Sequence, residues 1–211
     1  MTRLFDPPTP LAELAHELRT PLTSIIGFAE AMRARAFGPL SEAYVGGAET
    51  IAEAGRRLLA LVEDMTDIAR IEGEPRPMRR EAFDASVIAA DVAALLAIQA
   101  QRAKVTISAE GAPTQVQSDS DAIRRILINL AANAIAATPA GGSVRIAVAA
   151  DGGDLLLTVS DSGRGTGGAP EGLGLTLVRR LCALLGGALS IETPPGAGTV
   201  ACARLPVLAE I

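Results

Sequence analysis

The sequence predicts an α + α/β protein in which a helical hairpin, dimerising into a four-helix bundle, precedes a two-layer α/β sandwich. Three observations carry this prediction. The N-terminal third repeats apolar side chains every three or four positions, which is typical of amphipathic helices. A charged, proline-broken stretch, EGEPRPMRRE (72–81), then ends that pattern. Beyond it, helical and strand-like segments follow one another in an order typical of a sandwich. We therefore expect one domain over residues 1–75 and a second over 76–211.

The composition narrows the class of protein. The chain has 211 residues, of which 49% are apolar and 2% aromatic, so the core must consist of Ala, Leu, Ile and Val. The net charge of −5 argues against a nucleic-acid partner, because phosphate backbones favour a basic surface. No apolar run reaches the roughly 18 residues that a membrane span needs, and the N-terminus does not resemble a signal peptide. We expect a cytoplasmic chain with no membrane segment.

The cysteines and the histidine do not favour a metal-thiolate site. Cys182 and Cys202 lie in apolar contexts without metal-ligand spacing, which is typical of buried, reduced thiols. With one histidine in the chain and no cysteine cluster, the composition gives no support to a zinc site.

The hairpin is predicted from two apolar stripes. The first helix covers residues 10–35 and the second about 42–72, with a break at FGPLS between them. Both stripes are narrow and close to a heptad seam. An isolated pair cannot bury a seam on each helix, so we expect a homodimer in which two hairpins form a four-helix bundle. The stripes consist of Leu11, Leu14, Leu18, Leu22, Ile25, Ala29 and Met32, and of Ile51, Ala54, Leu58, Leu61, Met65 and Ile68.

The sandwich is predicted from the alternation after the linker. A helix over about 84–103 leads to a strand at KVTIS (104–108), and a helix over about 119–137 follows. Two alternating strands, SVRIAVA and DLLLTVS, flank a DGGD turn. A glycine-rich loop, a helix over about 173–186 and two short strands complete the chain.

The single histidine lies in HELRTPL (16–22), inside the first helix. On a helical wheel His16 falls roughly 150° from the apolar cluster, so it faces solvent, with Thr20 one turn beyond it. Pro21 removes a backbone hydrogen bond, frees the carbonyl of Glu17 and bends the helix just past His16. An exposed imidazole is largely neutral and nucleophilic at pH 7, and Glu17 stands next to it as a proton acceptor.

A second constellation lies in the sandwich. NLAANA (129–134) places Asn129 and Asn133 on one helix face, and an amide oxygen suits Mg²⁺. In DSGRG (161–165), Asp161 ends an apolar strand, where its carboxylate can accept a hydrogen bond from an exocyclic amine. The glycines in that loop let a ligand approach the backbone. GLGL (172–175) opens a helix, whose N–H groups favour phosphate.

Together these motifs resemble sensor histidine kinases of two-component systems. HELRTPL, with IIGFAE, FGPLSEAYVG and IARIEG, is similar to their dimerisation and phosphoacceptor domain. The order of the Asn-rich helix, strand hairpin, DxGxG, GxGL and helix resembles the gyrase-like, Bergerat-type ATP-binding domain. The resemblance covers about residues 10–206. It implies a cytoplasmic kinase core, which can belong to a longer, membrane-attached sensor, with ATP and Mg²⁺ as cofactors and a response regulator receiver domain as partner.

The resemblance also implies a role for each motif residue. His16 takes the γ-phosphoryl group and passes it to an aspartate of the response regulator, Glu17 is the base toward its ring, and Thr20 orients water for dephosphorylating that partner. In the second domain, the resemblance implies that Asn133 holds Mg²⁺ and that Asn129 helps at the phosphates. Asp161 selects adenine, and Gly163 and Gly165 make room for it. Gly172 and Gly174 line the phosphate side.

Two departures from the family pattern leave alternatives open. The stretch between DxGxG and GxGL is only TGGAPE (166–171), with Pro170 where the family usually has glycine, so it is too short for a lid. Ala136 and Ala137 replace the family's lysine and aromatic residue. One alternative is an ATP-independent histidine phosphotransferase or phosphatase that uses only the first motif. The other is a degenerate kinase that acts as a signalling adaptor.

Overall fold

The computed structural model describes residues 10–73, 79–163, 165, 172–194 and 198–206. These residues form five helices and seven strands. The chain divides into two compact units, residues 1–76 and 77–211. In chain order the elements are α1 (Pro10–Arg33), α2 (Glu42–Gly73), β1 (Glu81–Asp84), α3 (Ala85–Ala103), β2 (Thr106–Glu110), β3 (Gln115–Ser118), α4 (Ser120–Ala137), β4 (Ser143–Asp151), β5 (Asp154–Asp161), α5 (Leu173–Leu184), β6 (Ala188–Glu192) and β7 (Val200–Pro206).

Helices α1 and α2 form the predicted hairpin and pack through small side chains. Gly55 lies against α1, where a Cβ atom added to it would lie 2.7 Å from Cγ1 of Ile26. Leu22 and Val62 are the large side chains buried along this contact. The other buried side chains that the structure describes in the hairpin belong to alanines, which with Gly55 let the helix backbones come close together: Ala15, Ala29, Ala48 and Ala52.

The predicted stripes are therefore only partly the seam between the two helices. Leu22 and Ala29 are buried as expected, but most of the large stripe residues are 40–50% exposed. The reason is that the helices meet through the alanine-rich strip beside each stripe, so the large residues lie next to the contact. We call these exposed stripe residues, together with the exposed Phe28 of α1, the apolar face; it comprises Leu14, Leu18, Ile25, Phe28, Ile51, Leu58, Leu61 and Met65.

The second unit is the predicted two-layer sandwich. Its five-stranded sheet has the order β2-β4-β5-β7-β6, with β2 parallel to β4 and the other neighbours antiparallel. Helices α3, α4 and α5 cover one face of this sheet. The core between the layers fully buries large aliphatic side chains, among them Ile123, Ile126, Leu127, Ile146, Leu155, Leu157, Leu177 and Leu205.

Two strands of the second unit were not predicted from the sequence. β1 and β3 pair antiparallel as a separate two-stranded sheet, with Glu81 opposite Ser118. The end of β1 also caps α3, because the Asp84 carboxylate accepts hydrogen bonds from the backbone N–H of Ser86 (2.9 Å) and of Thr114 (3.0 Å). Hydrogen bonding from the Ser86 hydroxyl, and then from the Thr114 backbone, lowers the pKa of Asp84.

Helix α3 is unusually apolar for a helix of the second unit. By length and composition it is long and apolar enough to cross a membrane, with a mean hydropathy of 1.2, and it is the one such helix among the described residues. Its buried side nevertheless packs inside the sandwich, where Val92 and Ala100 are almost fully enclosed. The apolar composition of α3 is thus partly explained by its place in this core.

The cysteines differ from each other. Cys182, on α5, is free and buried as predicted, and burial raises the pKa of its thiol to about 11. Cys202, on β7, is free but only half-buried, and its Sγ accepts a hydrogen bond from the Thr158 hydroxyl at 3.6 Å.

Candidate functional site

A cavity in the second unit lies between α4, the end of β5, β6, the start of β7 and the start of α5. Its walls are mainly apolar, and its polar side chains include Asn133 and Asp161. A small apolar cavity with a few convergent polar groups is the usual form of a small-molecule site. The lining residues are Leu130, Asn133, Ala134, Ala137, Val159, Asp161, Leu175, Ile191, Thr199 and Ala201.

Asp161 is held firmly at the inner end of this cavity. Its residue is 8% exposed, and its Oδ1 atom accepts hydrogen bonds from the backbone N–H of Gly163 (2.7 Å) and of Thr199 (3.3 Å). The backbone N–H of Asp161 donates in turn to the Thr199 carbonyl at 2.9 Å. Among the described residues no group donates to Oδ2 of Asp161, so this oxygen can accept a hydrogen bond from a ligand.

Glycines around Asp161 leave no room for side chains. A Cβ atom at Gly163 would lie 2.7 Å from Oδ1 of Asp161 and 2.8 Å from the Ala137 carbonyl oxygen. At Gly198, which has φ of 78°, a Cβ atom would lie 1.9 Å from the Asp161 carbonyl oxygen. These two glycines allow the loops after β5 and before β7 to close tightly around the aspartate.

The remaining predicted glycines lie toward α5. Gly165 has φ of 79°. Residues 164 and 166–171, which include the predicted shortened loop, lie outside the described residues. Gly172 precedes α5, and its carbonyl oxygen accepts from the N–H of Leu175 (3.1 Å). Gly174 lies in the first turn of α5, whose next residue, Leu175, lines the cavity.

The two predicted asparagines lie on successive turns of α4. The Asp119 side chain caps this helix by accepting from the backbone N–H of Ala122 at 3.0 Å. Asn133 is exposed and lines the cavity, whereas Asn129 is half-buried one turn earlier and is not part of the cavity wall. The Nδ2 atom of Asn129 donates to the Arg125 carbonyl at 3.1 Å, which fixes the orientation of its amide.

The histidine motif lies in the first unit. The backbone of His16 is part of α1, but its side chain, predicted to face solvent, lies outside the described residues. Glu17 and Thr20 are exposed on α1, and Pro21 is inside the helix as predicted. Just past the proline, the Thr23 hydroxyl donates to the Arg19 carbonyl at 2.8 Å. Exposed polar side chains therefore lie next to an internal proline in this part of α1.

Sequence reasoning did not include the β7 side of the cavity. Thr199 and Gly198 contact Asp161 although 37 or more positions separate them along the chain, because β5 and β7 pair with Ser160 opposite Val200. The only local signal is a glycine and a threonine at the start of a strand, in GTV (198–200). That signal does not by itself identify the partner strand.

Two family models match the chain. The model of the His Kinase A (phospho-acceptor) domain matches residues 11–74, and the model of the histidine kinase-, DNA gyrase B- and HSP90-like ATPase matches residues 118–209. The first interval contains HELRTPL, and the second contains the cavity.

Relatives of known name match both units. Histidine protein kinase DivJ of Caulobacter vibrioides is 40% identical over 220 residues, covering 94% of this chain and 37% of the relative. Cell-division control histidine kinase PdhS of Brucella suis is 34% identical over 180 residues, covering 83% of this chain and 17% of the relative. The chain thus spans less than half the length of these relatives.

Solved structures have the same architecture. Full-length ShkA, in complex with AMPPNP, has a TM-score of 0.72 and 29% identity, covering 97% of this chain and 47% of the other. The Acinetobacter baumannii histidine kinase AdeS has a TM-score of 0.65 and 24% identity, covering 90% and 97%, and this likeness concerns the fold alone. Matches to both domains favour a kinase core over a phosphotransferase or adaptor without ATP.

Proposed function

The chain belongs to the sensor histidine kinases of two-component systems, and from that membership we propose that it autophosphorylates His16 with ATP. The observation that carries the proposal is the convergence of Asn133 and Asp161 on one cavity of the ATPase-like unit. In the other unit, α1 presents HELRTPL, with Glu17 and Thr20 exposed beside His16. We further propose that residues 1–75 act as the dimerisation and phosphotransfer domain and 76–211 as the ATP-binding domain.

The cavity suits the adenine end of the nucleotide. Val159, Ile191 and Ala201 supply apolar surface for a planar base. The Oδ2 atom of Asp161 accepts a hydrogen bond from the exocyclic amine, while Gly163 lets its loop close tightly around that aspartate. The AMPPNP complex of ShkA supports nucleotide binding at this fold. Gly165, Gly172 and Gly174 lie on the proposed phosphate side.

The phosphate end lies toward the exposed amides of α4. The Asn133 amide oxygen is an uncharged, hard donor at the cavity mouth, which fits Mg²⁺. When bound, this ion neutralises part of the charge on the phosphate oxygens. Asn129, one turn away, assists at the phosphates. An amide is no general base, so this site favours phosphoryl transfer to a side chain over activation of water.

The proposed transfer uses the residues of α1. A neutral imidazole nitrogen of His16 attacks the γ-phosphorus, the bond from that phosphorus to the β–γ bridging oxygen breaks, and ADP leaves. Glu17 accepts the proton from the other ring nitrogen, which would otherwise give a charged ring. In a second step an aspartate oxygen of a response regulator receiver domain attacks the same phosphorus and the P–N bond breaks. The ring then recovers its proton from Glu17.

Thr20 serves the opposite activity, dephosphorylation of the response regulator. Its hydroxyl is exposed one turn from His16, where it orients a water molecule toward the acyl phosphate of the docked response regulator. This partner, like the kinase core, is cytoplasmic. Glu17 and Thr20 thus divide two tasks, since a proton acceptor serves autophosphorylation and a hydroxyl serves dephosphorylation.

The functional unit is a homodimer. The apolar face of the hairpin exposes eight large apolar side chains, four on each helix, and a second hairpin of the same sequence covers them in a four-helix bundle.

Intact-mass spectrometry at neutral pH tests the kinase proposal. After incubation with Mg-ATP, we expect one added phosphoryl group per chain, and none on His16→Ala. Asp161→Asn should also abolish the addition, since the amide keeps the shape of the carboxylate but presents a donor. Addition to His16→Ala, or none to a wild-type chain that binds ATP in calorimetry, contradicts the proposal.

Thr20→Ala separates the two proposed activities. We expect loss of partner dephosphorylation by about tenfold or more, with autophosphorylation changed by less than about twofold, because the hydroxyl contacts only the hydrolytic water. Thr23→Ala, one turn further along α1 with its hydroxyl bonded to the Arg19 carbonyl, is the matched control. Equal loss of both activities in Thr20→Ala refutes its assigned role.

A further inference from the structure

Helix α4 carries a ridge of side chains that leads out of the cavity toward the N-terminal end of the helix. The ridge consists of Arg125, Asn129, Asn133 and Ala137, each four positions from the next. Residues four apart are neighbours on a helix surface, so these side chains form one continuous line. Ala137 and Asn133 line the cavity, Asn129 is half-buried beside it, and Arg125 is half-buried one turn further on.

The ridge joins the apolar cavity to a positive charge. Asn133 and Arg125 are eight positions apart, or roughly 12 Å along the helix axis at 1.5 Å per residue. The cavity itself is mostly apolar, with Asp161 at its inner end, so a charged ligand tail must leave it. Along α4 the polar side chains adjoining the cavity continue toward Arg125, so this ridge offers a charged tail a polar path.

The neighbouring arginine lies on another face of the helix. Arg124 is the other cationic residue of α4, and its Nη2 atom lies 3.1 Å from Oδ2 of Asp91 on α3. This ion pair directs Arg124 to the α3 side of the helix. Arg125 belongs to the ridge, and its carbonyl oxygen accepts a hydrogen bond from Nδ2 of Asn129 at 3.1 Å. The two arginines therefore form a natural pair for comparison.

We infer that Arg125 binds the terminal phosphate of the nucleotide and makes the site prefer a triphosphate to a diphosphate. This inference rests on the ATP binding proposed above and adds a residue that determines phosphate number. A guanidinium keeps its charge at all physiological pH values and offers several donors to phosphate oxygens. In a chain of net charge −5, a cation at this point offsets the repulsion of a highly charged ligand tail.

Calorimetry of the full 211-residue chain with Mg²⁺ and either ATP, ADP or adenosine tests the inference. We expect Arg125→Gln to weaken ATP binding by about tenfold, the size of one charge-assisted contact, and ADP binding by about threefold or less. Adenosine binding should not change. Arg125→Lys, which keeps the charge without the fork of donors, should recover part of the ATP affinity.

Arg124→Gln is the matched control, since it removes the same charge one position away. It should leave the ratio of ATP to ADP affinity as in the wild type. An equal loss for all three ligands in Arg125→Gln, an unchanged ATP affinity, or the same ratio change in Arg124→Gln overturns the inference. A wild-type chain that binds adenosine, ADP and ATP with equal affinity also overturns the inference. If the wild-type chain binds none of the three, the proposed ATP site itself is rejected.

Discussion

The hairpin and the sandwich bury their apolar residues in opposite ways. In the hairpin, small residues such as Ala48, Ala52 and Gly55 are buried, and the large side chains of the apolar face are exposed. In the sandwich, large side chains such as Ile126 and Leu157 are fully enclosed. The sandwich core is thus complete within one chain, whereas the hairpin leaves its large apolar side chains exposed at the surface where we propose that a second hairpin packs. In the proposed homodimer, stability and assembly are therefore separate properties in the second unit and one property in the first.

The largest expected effect comes from charges placed on the apolar face. Ile51→Asp combined with Leu58→Asp should convert the dimer to a monomer of 21.6 kDa by light scattering, with loss of helical signal from the hairpin. Each buried aliphatic side chain contributes about 1.5–3 kcal/mol, and the new charges add a desolvation cost.

The sandwich offers the matched control for this experiment. Ile98 on α3 is 64% exposed, more than the 50% of Ile51, and Ile98→Asp should leave the mass and the hairpin helicity unchanged. A monomeric wild type at micromolar concentration, or dissociation by Ile98→Asp as well, contradicts the contrast between the two units.

The next effect is a cavity in the sandwich core. Leu157 is fully buried on β5, and Leu157→Ala should lower the free energy of unfolding of this unit by about 2–5 kcal/mol in urea titrations. Dimer mass should not change. Leu156→Ala, on the opposite face of the same strand, should cost about 1 kcal/mol or less. Similar losses in both variants argue against a sandwich core confined to one face of the sheet.

A smaller effect is expected where the hairpin helices meet. A side chain at Gly55 would collide with Ile26, so Gly55→Val should destabilise the hairpin by about 1–3 kcal/mol in thermal unfolding followed by circular dichroism. Gly46→Val, in the same helix with open space around it, should change stability by about 0.5 kcal/mol or less. If the two substitutions are equivalent, close packing at Gly55 does not hold the hairpin together.

The smallest effect concerns acid stability of the sandwich. The pKa of Asp84 lies below the ordinary value of 3.8, so its carboxylate stabilises the folded state above that pH and the contribution is lost as pH falls through the lowered pKa. Asp84→Asn keeps an oxygen acceptor but has no charge to titrate. We expect the wild type to lose more stability than this variant between pH 5 and pH 2. Parallel losses contradict the role of Asp84 as a charged cap.

The sequence predicted most helices and strands because their periods are strong and their ends carry clear signals. The ends of α4 and β5 differ by no more than a residue from the expectation, since Asp119 and the DGGD turn mark them. β1 and β3 were missed because EAFD and QVQS are four-residue strands without a long alternating pattern. The strand expected at 104–108 begins two residues later, because Lys104 ends α3 with φ of 58°.

The apolar stripes and the site show where sequence reasoning stops. Spacing found the large residues of the hairpin correctly, but it could not show that neighbouring alanines form the contact within the chain. Spacing also identified Asn133 and Asp161, which the fold brings to one cavity. It could not supply Thr199, because only the register of β5 on β7 places this residue beside Asp161.

The two oxygens of Asp161 have consequences for how such a pocket can evolve or be redesigned. Oδ1 joins the loops that follow β5 and precede β7, while Oδ2 is left for a ligand. A substitution meant to admit a different base must therefore preserve the loop closure made by the same side chain. In the proposed ATP site, altered base preference would first have to arise at surrounding positions such as Ile191 or Ala201, so the proposed choice of purine and the architecture of the sheet end are inherited together.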